Sequence, residues 1–205
     1  MHSPFAVLPG EHLPGIGHNR GPSLDGGRRW RAHCWQKARR ELLPRLPIEV
    51  VRRRVVRARE LGLAYPQYAS VLLGSGRDIV GFLFTCDAIG IRLERRLELP
   101  DKNAEKLRGL SGCDRLLMTP LPVDADALCA RLAESHGVHF AAAGASPGYD
   151  ACHREGREAI RAILRPLKLP AGAVVMIGTR PEERAWAHAA DTAKFLSAEA
   201  YFANG

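Results

Sequence analysis

Three short stretches of the chain are apolar almost without a break: Ile79-Val80-Gly81-Phe82-Leu83-Phe84, Arg115-Leu116-Leu117-Met118-Thr119 and Ala173-Val174-Val175-Met176-Ile177. Runs of this length, bounded by turn residues, are expected of strands buried on both faces of a parallel sheet. Amphipathic segments lie between them, and these predict helices from Asp101 to Leu110, Asp124 to Ser135 and Tyr149 to Leu164. Strands alternating with helices imply βαβ crossovers and a sheet covered on both sides. The expected fold class is therefore α/β, a three-layer, Rossmann-like arrangement around a parallel sheet. After the third run, Thr179 followed by Glu182 has the spacing of a capping box and opens a last helix. Trp186, Ala189, Ala193 and Leu196 would face the sheet from it.

The pattern ahead of the first strand is different. Trp30 to Leu43 reads as a helix stopped by Pro44, and Pro47 suits the first turn of another, where its missing N–H has no partner to lose. In this second helix Ile48, Val51, Val55 and Ala58 fall on one face, with Arg53 and Arg57 opposite and Gly62 at the end. A short helix from Tyr65 to Leu73 and the turn Gly74-Ser75-Gly76 follow. Residues 1–27 are rich in Gly and Pro and lack periodicity, so they cannot bury enough apolar surface to offset the entropy of ordering. The chain thus divides into a flexible tail (1–27), a basic helical segment (28–75) and an α/β core (76–205). The tail includes Gly15-Ile16-Gly17-His18-Asn19, to which no mechanism attaches.

Charge sharpens this division. Of a formal net charge of +8, the stretch from Arg28 to Glu60 holds twelve Lys or Arg against three Glu, while the rest of the chain is near balance. Arg28, Arg29, Arg31, Arg39, Arg40, Arg53 and Arg57 are the candidate contacts for nucleic acid, with Trp30 or Trp35 available to stack on a base. The bland alternative is a pair of solvated helices with ordinary exposed pairs such as Glu49 with Arg53.

No run approaches the ~18 apolar residues of a membrane span, and the prolines at 4, 9 and 14 interrupt any secretory signal. Five scattered cysteines do not form a secreted disulfide framework. Both points lead to the expectation of a cytoplasmic protein without membrane contact. Cys129, His136, His139, Cys152 and His153 include zinc-ligand types, but their spacing fits no standard structural site, so no metal is expected. Gly74-Ser75-Gly76 lacks the Lys of a phosphate-binding P-loop.

The strand ends carry a family resemblance. Phe82-Leu83-Phe84-Thr85-Cys86-Asp87 resembles the first motif of the haloacid dehalogenase superfamily, in which an apolar strand ends in a nucleophilic Asp and a second Asp, two residues on, serves as general acid and base. Here the second acid is Asp87, and Thr85 stands at the nucleophile position. Leu116-Leu117-Met118-Thr119 is similar to the second motif, whose terminal Thr or Ser binds phosphate. Val174-Val175-Met176-Ile177-Gly178 resembles the fourth, but Thr179 replaces its metal-binding Asp, with Glu182 and Glu183 as displaced substitutes. The Lys of the third motif is absent around Gly148 to Cys152. The resemblance implies a phosphate-binding crevice lined by Thr85, Asp87, Thr119 and Thr179. The family's chemistry requires an aspartyl nucleophile beside Mg²⁺, and a Thr hydroxyl with no neighbouring base is a poor substitute.

Two functions are compatible with these residues. The first is a non-enzymatic binding or regulatory protein that contacts nucleic acid, or another acidic partner such as a protein, through the basic segment, with no cofactor and no catalytic residue. The second is a small phosphate-ester hydrolase or transferase of haloacid dehalogenase-like fold, for which Mg²⁺ would be needed.

Overall fold

A five-stranded, all-parallel sheet organises the chain, in the order β3-β2-β1-β4-β5. The computed structural model describes residues 46–91, 98–148 and 150–203. Arg28, Arg29, Arg31, Arg39 and Arg40, the expected helix from Trp30 to Leu43 and the tail 1–27 lie outside the described residues. The elements are α1 (Ile48–Glu60), α2 (Tyr65–Ser75), β1 (Gly81–Thr85), α3 (Cys86–Ile89), α4 (Asp101–Gly109), β2 (Asp114–Thr119), α5 (Ala125–His136), β3 (Ala142–Ala145), α6 (His153–Leu164), β4 (Val174–Gly178), α7 (Pro181–Ala189), β5 (Lys194–Ser197) and α8 (Ala198–Phe202).

The three apolar runs become the three central strands, each within two residues of its expected bounds. Strand β1 lies between β2, with Leu83 opposite Leu116, and β4, with Leu83 opposite Met176. Side chains alternate across the pleat. Phe82, Phe84, Leu117, Val175 and Ile177 point to one core, which α1, α2, α4, α5 and α8 cover. Leu83, Leu116, Met118, Val174 and Met176 point to the other, which is covered by α6 and α7 through Ile160, Ile163, Trp186 and Ala187. These are the three layers the alternation of strands and helices predicts.

The helices before β1 share this core. Ala58, Leu61, Leu63, Tyr68 and Val71 are buried in the same cluster as Phe82 and Phe84, and the compact unit runs from Pro47 onward. The stretch from Pro47 to Ser75 therefore packs as part of the α/β unit rather than as an appendage to it.

The helical phase of α1 differs from the expected one. Ala58 is buried in the core and Val51 and Val55 are half-buried, but Ile48 is 63% exposed. Arg57 is the larger correction. Instead of projecting to solvent, its side chain is only 20% exposed. It reaches inward: Nε to Asp78 Oδ2 at 2.9 Å, Nη1 to Glu60 Oε2 at 3.0 Å, and Nη2 to the carbonyl oxygens of Ile79 at 2.9 Å and Gly112 at 3.0 Å. A planar guanidinium suits four acceptors spread around its edge. Arg57 is thus a clasp joining α1 to the starts of β1 and β2, and it is withdrawn as a nucleic-acid contact. Arg53 stays exposed as expected.

The end of the chain departs from expectation as well. The helix after β4, α7, stops at Ala189, and Asp191 takes a positive φ of 58°. Leu196 consequently belongs to an edge strand, β5, rather than to the helix. The start of α7 is shifted too: Pro181 sits at the first helical position, so Arg180 is the N-cap residue and Glu183, not Glu182, occupies the third. No helix among the described residues is long and apolar enough to cross a membrane.

Candidate site at the carboxyl ends of the strands

In open α/β sheets, ligands bind beyond the carboxyl ends of the strands where successive connections leave in opposite directions. Here that point lies between β1 and β4. The chain moves from β1 to β2 and β3 on one side, then returns to place β4 on the other.

At the end of β1 the backbone turns directly into α3. The hydroxyl of Thr85 caps that helix, accepting the Ala88 N–H at 3.3 Å. At the end of β4, Glu183 folds back over Gly178. Its Oε2 accepts the N–H of Thr179 at 2.7 Å and of Arg180 at 3.0 Å, which satisfies two donors at the start of α7. The absence of a side chain at residue 178 makes this approach possible: a Cβ there would lie 2.4 Å from Glu183 Oε2 and 2.7 Å from the Phe195 ring. The Thr85 side chain borders the same crevice as the Glu183 carboxylate. Across the mouth, Arg180 Nε pairs with Asp87 Oδ2 at 3.2 Å.

The resulting crevice is lined by Thr85, Cys86, Asp87, Met118, Pro120, Ser146 and Glu183, and it encloses about 10 Å³. That is room for at most about one water. Of the four residues expected to line a phosphate site, Thr85 and Asp87 do so. Thr119 is fully buried and its hydroxyl donates to the Gly144 carbonyl at 3.3 Å, and Thr179 is exposed and contributes its backbone N–H. The structure therefore does not gather the four side chains around one space.

Arg180 was not legible as a site residue, because its partner Asp87 lies 93 positions away in the chain. Glu183 could have been placed from sequence by taking Pro181 as the first helical residue. No family model, no curated protein and no solved structure matches this chain.

Cys86 borders the crevice, but burial, followed by the charge of Asp87, pushes its thiol up to about 12. Such a thiol is a poor source of thiolate at neutral pH. Among the described residues no three His, Cys, Asp or Glu side chains converge as metal ligands. The donor set itself fits Mg²⁺ poorly, since the Asp87 carboxylate already faces the Arg180 guanidinium and Glu183 is turned onto backbone N–H groups.

Glu183 is 2% exposed, and burial lifts its carboxyl above the ordinary range, against the opposing pull of the Arg180 and Thr179 N–H groups and the Thr85 hydroxyl. The folded chain thus holds this proton more tightly than the unfolded one. The stabilisation that protonation gives is complete below the unfolded value and is lost as pH rises through the folded one. Glu183→Gln, which keeps an acceptor for the N–H groups and removes the charge, should then gain on the wild type as pH rises from the ordinary glutamate range of about 4.3 toward neutrality. Urea unfolding of both proteins across that range checks this, and a difference that stays constant with pH would refute it.

Proposed function

We propose that this chain is a non-enzymatic binding or regulatory protein, an α/β domain that contacts nucleic acid or another anionic partner through its basic N-terminal segment. The observation that carries the reading is the closed crevice. The groups at the carboxyl ends of β1 and β4 are occupied with one another, and the space between them cannot admit a phosphate ester.

The resemblance to the haloacid dehalogenase superfamily is kept within this proposal as one of scaffold. Its support is that β1, β2 and β4, which carry the three motif-like stretches, are neighbours in the sheet with their ends on one edge. The chemistry would have been lost with the nucleophile: Thr85 uses its hydroxyl to cap α3. The hydrolase reading would require Arg180 and Glu183 to vacate the crevice.

Support for an anionic partner is the confinement of excess charge to residues 28–60. Within the described part of that segment Arg52 and Arg53 are exposed, and Arg52 has only a surface pair with Glu49 at 2.8 Å. Phosphate neutralisation by such groups gives affinity with little base preference. Labelled single- and double-stranded oligonucleotides, titrated at several salt concentrations, should bind the wild type at low salt. Arg52→Ala with Arg53→Ala should lower the slope of log affinity against log salt by about 1.4 to 1.8, at about 0.7 to 0.9 per lost contact, and leave the melting temperature nearly unchanged. An aryl phosphate with Mg²⁺ should show no turnover that Asp87→Asn removes. No binding at low salt, or Asp87-dependent turnover, would overturn the proposal.

A further inference from the structure

A cavity much larger than the crevice at the strand ends lies elsewhere on the unit. It lies between the last turn of α1, the loop that follows it, and α4, and it measures about 540 Å³. That volume is within the range of small-molecule sites, ~300–1,000 Å³. Its lining is Arg59, Lys102, Glu105 and Lys106 around Gly62, Leu63, Ala64 and Gly109.

Three cations against one carboxylate is an unusual lining for a void. Lys102 and Lys106 stand four apart on α4, an arrangement in which like charges oppose helix formation. Burial lowers the Lys106 ammonium below its ordinary value, and the charge of Lys102 lowers it further. Lys106 is held in place all the same: its ammonium donates to the Tyr201 carbonyl and sits 4.4 Å from the centre of the Tyr201 ring. Gly62 lets the stem of Lys106 come close, since a Cβ at residue 62 would lie 3.2 Å from Lys106 Cε. Among the described residues the side chains of Arg59 and Lys102 make no hydrogen bond or ion pair. Two unengaged cations and one positioned cation thus border the same cavity, with Leu63 and Ala64 as an apolar wall and Glu105 as the one acceptor.

We propose that this cavity binds a small organic phosphate monoester. The dianionic head is placed among Arg59, Lys102 and Lys106, and the apolar body against Leu63 and Ala64. A phosphate dianion matches the net charge of the lining, and Arg and Lys are the side chains that hold it by charge-assisted hydrogen bonds. The inference does not rest on oligonucleotide binding by Arg52 and Arg53, because neither residue lines the cavity.

The test is calorimetric titration of the full chain at low salt with phenyl phosphate, inorganic phosphate and phenol. Phenyl phosphate should bind saturably with a Kd below about 1 mM, about tenfold tighter than either fragment. Arg59→Gln and Lys102→Gln should each weaken it about tenfold. Neither should lower the melting temperature of the ligand-free protein, because neither residue has a partner to lose and Lys102→Gln removes repulsion of Lys106. Lys106 itself is left intact, since its contacts to Tyr201 are structural. No saturable binding up to about 10 mM, equal affinity for inorganic phosphate, or unchanged affinity in both variants would overturn the assignment.

Discussion

Arg57→Ala should destabilise the folded chain by about 3 kcal/mol and lower its melting temperature by about 9 °C. The loss has two parts. The carbonyl oxygens of Ile79 and Gly112 would each lose a charged donor, and Asp78 would be left with only the Tyr68 hydroxyl, at 3.0 Å, and the Ile79 N–H, at 2.8 Å. Glu60 and Asp78 are themselves about half exposed, so their pairing with Arg57 contributes less than that of a buried pair. Arg57→Lys should recover little, because a single ammonium cannot reach all four acceptors spread around the edge of the guanidinium. Gly112 belongs to the same device. Its φ of 65° suits glycine, and a Cβ there would lie 2.6 Å from Arg57 Nη1. Chemical unfolding of the two Arg57 variants checks the prediction. A loss under about 1 kcal/mol for alanine would mean that the clasp is an ordinary surface pair.

Gly156→Ala should be about as damaging, although alanine is the better helix former by about 1 kcal/mol. Helices α6 and α7 touch at this residue. A Cβ on residue 156 would lie 2.1 Å from Trp186 Cγ and Cδ1 and 2.6 Å from Trp186 Cβ. The clash reaches the root of the indole side chain, so a rotamer change alone does not relieve it and the helices must separate. Trp186 is 1% exposed in the core formed by Ile160, Ile163 and Ala187, so separation opens voids around it. Overpacking at such a point costs about 4 kcal/mol, which leaves a net loss of about 3 kcal/mol after the helix preference. Gly156→Ala combined with Trp186→Leu should be less destabilised than the sum of the two single changes, which separates a clash from a general loss of helix packing. Strict additivity of the pair would count against the contact.

The central strands were legible because burial on both faces leaves a continuous apolar run, as in Phe82-Leu83-Phe84 and Val174-Val175-Met176. The edge strands were not. Strand β3 is Ala-Ala-Gly-Ala, with no large side chain to mark it, and its Gly144 leaves space for Ile163, whose Cγ1 would lie 2.7 Å from a Cβ at that position. Strand β5 is four residues long, and its Leu196 happens to fall at helical spacing from Trp186. The sheet's class was thus readable and its width was not.

The site was legible only in its local parts. Thr85 and Asp87 could be placed at a strand end from the sequence, and Pro181 marked the true start of α7. What closes the crevice is long-range: Arg180 reaches Asp87 across 93 residues, and Arg57 reaches Gly112 across 55. Charge patterning alone cannot distinguish an arginine that waits for a partner from one that already has internal acceptors. Arg53 and Arg57 lie in the same helix and one turn apart, and they differ in that respect.

The sheet order also constrains how the chain can fold. Strands β1 and β4 are adjacent although about ninety residues separate them, and the Tyr201 hydroxyl meets the Leu61 carbonyl at a separation of 140. The rings of Phe82 and Phe84 pack on Tyr201 at 5.5 and 5.8 Å, so the central strand receives part of its cover from the last helix of the unit. Closing such loops must precede the contacts that reward it, which places the molecule among the slower, high-contact-order folders. It also leaves no early segment with a finished core. Until α8 docks, the part of the central strand's face that Tyr201 covers stays open to water, and an exposed apolar surface of that kind invites chaperone binding and self-association.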